Sequence, residues 1–315
     1  MADSDNDGIA AGLVIYTPDE VLHIGLKWVG FTSHRIERAS AATNIYRFRA
    51  HFGADPKVVA VIFEELQTTD CADARVPSGS ANIKHFLMAL HHLKVYPREV
   101  EREALFDISP AYGRDWCWYY IEKVQALKAV KISWPDNLYS DDLWVLTVDG
   151  VHCWINEPRH PTWSQDPTYY SHKFNKAGLA YELGVSLTES RLIWMNGPFK
   201  AGTSDKKIFK EGGLKQRLEQ FGKRGIGDGG YTGFPMLLST PNAHDSDAVK
   251  LFKSRALKRH EKLNGHIKTF ASMSGRFRHG VPRFKCCFEA VCVICQYRME
   301  MGSDLYDVYV EHVNM

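Results

Sequence analysis

Three acids occupy positions where a carboxylate has more to do than meet solvent. Asp149 ends the apolar run Leu143-Trp144-Val145-Leu146-Thr147-Val148, Asp228 follows Gly225-Ile226-Gly227, and Glu261 is the one acid in the basic stretch SRALKRHEKLNGHIKTF. Glu261 has Lys258 three residues before it, but its i±4 neighbours are Leu257 and Gly265, so its own helix neutralises it poorly. Leu257 is a residue that turns toward a sheet, and Glu261 on the same helical face should turn with it. Carboxylates converging from two strand ends and a helix are hard oxygen ligands for Mg²⁺ or Mn²⁺. Two such ions ~4 Å apart activate an attacking water or 3′-hydroxyl and stabilise the leaving oxygen of a phosphodiester. The competing reading is ordinary: strand-end aspartates commonly cap turns or helices.

The charge around Glu261 suits a polyanion. Between Ala248 and Phe288 eleven Lys/Arg stand against one acid, so this segment carries +10 of a net charge of +2 and the remainder carries −8. Arg255, Lys258, Arg259, Lys262, Lys268, Arg276 and Arg278 are candidates for phosphate contacts, which hold DNA with little sequence information and weaken as salt rises. A solvated helix face followed by a basic loop is the alternative.

Pattern along the chain divides it into an acidic, loose start over 1–20, a helical region over 21–138 and an α/β region over 139–315. Val58, Val59, Val61, Ile62, Phe63 and Leu66 fall at helical spacing, as do the apolar residues of Ile83 to Leu93, with a polar loop over Thr68 to Ser80. A helix ending near Phe106, the turn Asp107-Ile108-Ser109, and a second helix with Pro110 at its first position give the layout of a possible helix-turn-helix. In it Arg114 and Lys123 are placed to reach DNA, although many helical bundles share the layout. Beyond Trp134-Pro135 the texture becomes strand, hairpin, helix, strand, helix: Leu143–Val148, Leu179–Leu187 with Leu192–Met195, a helix from Asp205 to about Phe221, Gly225–Gly227, an edge strand near Pro235–Ser239, and a long helix from Asp245 to Phe270. That order predicts an α/β fold with a mixed sheet flanked by helices.

Other signals lead elsewhere and are weak. GIGDGG fits G-x-G-x-x-G, but LEQFGKR before it is polar and helical and no helix opens directly after it. Cys292-x-x-Cys295 lies among Val291, Val293 and Ile294, as an apolar helix with buried thiols would. Seven cysteines without framework spacing suit reduced thiols inside a cell, and the acidic start predicts no secretory signal. No apolar run approaches the ~20 residues of a membrane span.

The words around the acids add a specific likeness. VDGVHCWI at Asp149, GTSDKKIF at Asp205, GIGDGGYTGFPMLLSTP at Asp228 and the Glu261 stretch resemble, in order and with gaps of 79 and 33 positions between the three acids, the DDE transposases of the Harbinger superfamily. ASMSGRFRH and FEAVCVICQYRMEMGSDLYDV resemble that family's usual end, and HFLMALHHLKVYPRE and IEKVQALKAVKISWP its helical N-terminal regions. The resemblance implies a ribonuclease H-like core, two divalent ions (Mg²⁺ or Mn²⁺) held by Asp149, Asp228 and Glu261, and cleavage and joining of DNA at transposon ends. Asp205 matches a recurrent position of the family; locally it reads as a helix N-cap, with support behind the metal ligands as the sharper role, and Lys173 matches another recurrent position as a phosphate contact or, equally, a solvated lysine beside a strand. The resemblance further implies a nuclear location, a possible homodimer handling two ends, and a separate Myb-like DNA-binding partner. Domesticated relatives leave an alternative: a catalytically silent protein that binds DNA or recruits partners.

Overall fold

Thr17 starts the first helix by accepting the Glu20 N–H while the Glu20 carboxylate accepts the Thr17 N–H, a reciprocal cap that satisfies two donors the helix cannot. The protein is described by a computed structural model over residues 13–69, 76–78, 81–134, 143–158 and 166–308. The expected acidic start therefore lies mostly outside the described residues, as do much of the Thr68–Ser80 loop and the boundary at 138/139. Eight helices come first: α1 (Pro18–Trp28), α2 (Ser33–Glu37), α3 (Ala41–Phe52), α4 (Pro56–Thr68), α5 (Ile83–Val95), α6 (Glu99–Phe106), α7 (Pro110–Ala126) and α8 (Lys128–Lys131). Asp107 in the left-handed region ends α6, and Ser109 caps α7 by accepting the Tyr112 N–H. The expected helix–turn–helix layout is therefore present, but α7 packs against α5 and buries Trp116, Cys117, Tyr120, Ile121 and Val124.

The sheet follows: β1 (Trp144–Trp154), β2 (Tyr170–Ser171), β3 (Lys176–Ser186), β4 (Leu192–Lys200), α9 (Asp205–Glu211), α10 (Leu214–Phe221), β5 (Arg224–Gly227), β6 (Leu238–Ser239), α11 (Asp247–Lys268), α12 (Ala271–Ser274) and α13 (Val281–Glu300). In space the strands run β4-β3-β1-β5-β6, with β2 beside the start of β3. The β4-β3-β1 pairs are antiparallel and the β1-β5-β6 pairs parallel, which is the mixed sheet expected from the sequence. Two elements differ from expectation. β1 does not stop at Asp149 but continues to Trp154, because β3 pairs with it as far as Gly178. The helix expected from Asp205 to Phe221 breaks at Gly212-Gly213, where Gly213 takes φ +103, a conformation L side chains rarely adopt.

The sheet's two faces are covered differently. Leu146, Val148 and Ile193 meet Phe209, Leu214 and Leu218 of α9 and α10. On the other face Val151, Tyr181, Leu183, Val185 and Met195 join one continuous core with α11 to α13 and the N-terminal helices. Helix α13 is the bridge: Phe288 stacks on Tyr181 at 4.0 Å, while its opposite side packs on α7. Glu289 is buried there and receives Gln125 at 2.8 Å and Lys128 at 3.0 Å. The six described cysteines are unpaired thiols, and Cys287, Cys292 and Cys295 lie within this helix's packing.

One core predicts one unfolding event. Phe288→Ala should destabilise by about 3–5 kcal/mol, and urea unfolding followed by far-UV circular dichroism and by tryptophan fluorescence should give coincident transitions. Separate transitions for the helices and the sheet would contradict the shared core.

Candidate active site

Register brings two of the three acids together. Val148 on β1 pairs in parallel with Gly227 at the end of β5, so the next residues, Asp149 within β1 and Asp228 just past β5, stand at one level, ~4.8 Å being the usual strand spacing. Asp149 Oδ1 accepts the Gly150 N–H at 2.7 Å, and Oδ2 accepts Asn264 Nδ2 of α11 at 3.1 Å. Asp228 caps the short 3₁₀ turn Gly229–Tyr231 by accepting the Gly230 N–H at 2.8 Å.

A further acid approaches from α9. Ser204, not Asp205, is the N-cap of α9, and Asp205 is its first residue. A methyl group at Gly150 would stand 2.7 Å from Asp205 Oδ1, and one at Gly230 would stand 2.9 Å from both Asp205 Oδ2 and Asp228 Oδ1. Those last two oxygens are therefore at most twice 2.9 Å apart, and any side chain at either glycine would displace the carboxylates.

The crowding shows in protonation. Burial first, then the charges of Asp228 and Asp205, push Asp149 up to about 6 against the pull of the Gly150 N–H and Lys173. Burial and Asp228 raise Asp205 likewise, with Lys173 opposing. Beneath them Glu182, opposite Gly150 on β3, is only 1% exposed and is pushed up to about 8 by burial, with Asp205 adding to it. One Glu182 oxygen accepts Trp194 Nε1 at 3.0 Å; the other has no partner among the described residues, nor does the buried Tyr231 hydroxyl. Lys173, exposed in the turn after β2, is the cation acting on both Asp149 and Asp205.

Glu261 stands apart. Helix α11 buries Phe252, Ala256, His260, Leu263 and Ile267, and Glu261 lies about 100° round the axis from His260. It is exposed and has no hydrogen bond or ion pair with any described residue, while Asn264, one turn on, reaches Asp149. Among the described residues no group of three His, Cys, Asp or Glu is gathered closely enough to hold a metal ion. Asp149 and Asp228 nonetheless suit a divalent cation in donor chemistry: hard oxygens, crowded by a like charge.

The basic residues expected to hold DNA divide into two sets. Arg259 is buried and donates to the carbonyls of Ser186 at 2.8 Å, Tyr306 at 2.5 Å and Glu189. Lys268 donates to the carbonyls of His152 and Met273 and to Cys153 Sγ; Lys262 donates to the Asp304 carbonyl, and Arg278 to those of Tyr96 and Pro97. Arg114 pairs with Glu99 at 3.4 Å, and Lys123 donates to the Leu66 carbonyl at 2.5 Å. Lys173, Arg255, Lys258 and Arg276 are exposed, Arg255 also donating to the Asp307 carbonyl at 3.5 Å and Arg276 with its guanidinium 5.5 Å from the Trp154 ring.

Residues 148–296 match the family model of the DDE superfamily endonucleases, just under half of the chain. Over this stretch the chain is similar to that superfamily. The match takes in Asp149, Asp205, Asp228 and Glu261 and runs from β1 to most of α13. No curated protein and no solved structure matches the chain. Within the matched stretch, Glu182, Asn264 and Tyr231 are the site neighbours that sequence reasoning missed. Glu182 reads as the solvent face of an alternating strand; its one visible signal is a lone acid between Ala180 and Gly184, residues too small to shield it.

Two outcomes follow. A carboxyl whose pKa is raised on folding stabilises only below its unfolded value, and that stability is lost as pH rises toward the folded value. Glu182→Gln should therefore melt with the parent near pH 5 and above it at pH 8. Arg259→Ala should lose roughly 3 kcal/mol, because the buried Ser186 carbonyl and the part-buried ones of Tyr306 and Glu189 lose a charged donor, whereas Glu261→Ala should change stability by less than about 0.5 kcal/mol.

Proposed function

We propose that the chain is a metal-dependent DNA endonuclease and transposase of the Harbinger type, cutting and joining phosphodiester bonds at transposon ends. The observation that carries this reading is the pair Asp149 and Asp228, at one level on adjacent parallel strands within the stretch that matches the DDE endonucleases, with Asp205 beside them. Asp149 and Asp228 are the residues to hold Mg²⁺ or Mn²⁺, and Glu261 on the neighbouring helix is the third donor the reading requires. A bound pair of divalent ions supplies Lewis acidity toward the scissile phosphate and a more acidic water or 3′-hydroxyl.

The chain's own groups do the rest. Asn264 donates to Asp149 and fixes the orientation of its carboxylate. Lys173, next to Asp149 and Asp205, is placed to meet a phosphate at the carboxylates, and Arg255, Lys258 and Arg276 extend the positive surface along the backbone. Such contacts give affinity that falls steeply with salt. DNA in the nucleus, a second copy to handle the second end, and a separate Myb-like protein for sequence recognition complete the proposal. Among the described residues no helix is long and apolar enough to cross a membrane.

The exposed, unpartnered position of Glu261 favours a second reading, a transposase-derived protein that binds DNA or recruits partners without cutting. Cleavage of a plasmid carrying the element's terminal repeats, in Mg²⁺ or Mn²⁺, separates the two. The enzyme reading expects Asp149→Asn and Asp228→Asn to lose activity by roughly a thousandfold or more, as loss of a ligand group essential to the chemistry should, and Glu261→Gln with them. Binding of the repeats without cleavage by the parent would establish the silent reading, and full cleavage by Glu261→Gln would remove that residue from the site.

A further inference from the structure

Past the carboxylates the turn between β2 and β3 leads into a groove that the cleavage reading leaves without a role. The turn spans 172–175, is exposed throughout, and closes through Asn175 at φ +52. Its Phe174 ring lies 5.0 Å from that of His152, whose Nε2 in turn stands 3.7 Å from where a methyl on Gly150 would be, so Phe174 borders the acidic site. A cavity of about 180 Å³ between His152, Phe174 and Lys176 shares Trp154 and Lys176 with a larger groove of about 890 Å³ that extends to Tyr170 and Arg276.

Two features set this groove apart from an ordinary surface cleft. Large aromatic rings are left uncovered: Phe174 is 47% exposed and Trp154 is 38% exposed. Cations accompany them, Lys173 Nζ at 5.5 Å from the Phe174 ring, Lys176 Nζ at 4.6 Å and the Arg276 guanidinium at 5.5 Å from the Trp154 ring. Among the described residues Glu157 is the one acid lining the groove, and there the balance of charge is positive. Rings flanked by flexible cations form the surface on which single-stranded nucleic acid binds, bases on the rings and phosphates on the cations. A base in a duplex is paired and stacked on both sides and cannot offer its face. Displacing an exposed Lys from a ring costs less than a stacked base returns.

We propose that this groove is a subsite for unpaired nucleotides of the DNA strand next to the scissile phosphate, with Phe174 and Trp154 as stacking platforms and Lys173, Lys176 and Arg276 on the phosphates. The proposal deepens the endonuclease reading and rests on it for the identity of the strand.

The test is fluorescence anisotropy of the full chain without divalent ions, using a labelled oligothymidine of about twelve nucleotides and a blunt duplex of similar length. Phe174→Ala and Trp154→Ala should each weaken single-strand binding by roughly 5- to 150-fold, with blunt-duplex affinity within about twofold of the parent. Phe174 lies in an exposed turn and Trp154→Phe keeps a ring, so these two variants guard against loss of folding; Trp154→Phe should retain most of the affinity. Unchanged single-strand affinity, an equal loss on both probes, or loss of a dimer as the main effect of Phe174→Ala would each overturn the proposal. Cleavage by the parent is measured alongside. Cutting with an inert groove leaves the endonuclease reading standing alone, and ring-dependent single-strand binding without cutting leaves the groove standing alone.

Discussion

Like-charge crowding of carboxylates is the constraint around which this domain is organised. The parallel register of Val148 with Gly227 fixes Asp149 beside Asp228, the absence of side chains at Gly150 and Gly230 admits Asp205, and the antiparallel register of Gly150 with Glu182 puts another acid underneath. Each placement is unfavourable in isolation, because burial and like charge both penalise ionised carboxylates. The upward shifts of Asp149, Asp205 and Glu182 are that penalty in titration form. A group of acids held this way is destabilising near neutral pH unless a cation neutralises it.

The rest of the fold supplies the stability that such a site consumes. The sheet face carrying Asp149 is packed on α11 and α13, and α13 is buried on its far side by α7, so the N-terminal helices brace the strands that hold the acids. Several basic residues take part in that bracing. Arg259 ties α11 to the β3–β4 turn and the C-terminal segment through three carbonyls, and Lys268 ties the end of α11 to β1 at His152. A positive charge near a nucleic-acid site is therefore not always a ligand of it.

What the sequence discloses follows from which signals are local. The level of Asp149 and Asp228 was legible because each follows an apolar run, although only Asp228 stands at a strand end, and the α/β order was legible from period. β1 runs past Asp149 because its length depends on β3, a partner 30 residues away, which no local pattern encodes. Of the two readings of Asp205 the cap falls instead to Ser204, while its approach to Gly150 is a tertiary fact that no local pattern encodes. Glu261 illustrates the limit of helical-face reasoning, since Leu257 is only partly buried and the helix turns His260 and Leu263 inward instead. Basic residues were the least legible, because composition counts charge and cannot say that Arg259 is buried against carbonyls.

The most direct measurement is the thermal stability of the full chain at pH 7.5 as Mg²⁺ or Mn²⁺ is added at constant ionic strength. Selective binding of a divalent ion to crowded carboxylates in the folded state predicts a saturating rise in melting temperature. Asp149→Asn should start from a higher melting temperature without cations, its repulsion being relieved, and should lose the rise. A melting temperature that responds to Mg²⁺ or Mn²⁺ no more than to an equivalent change in NaCl, or a rise that persists in Asp149→Asn, would contradict the account.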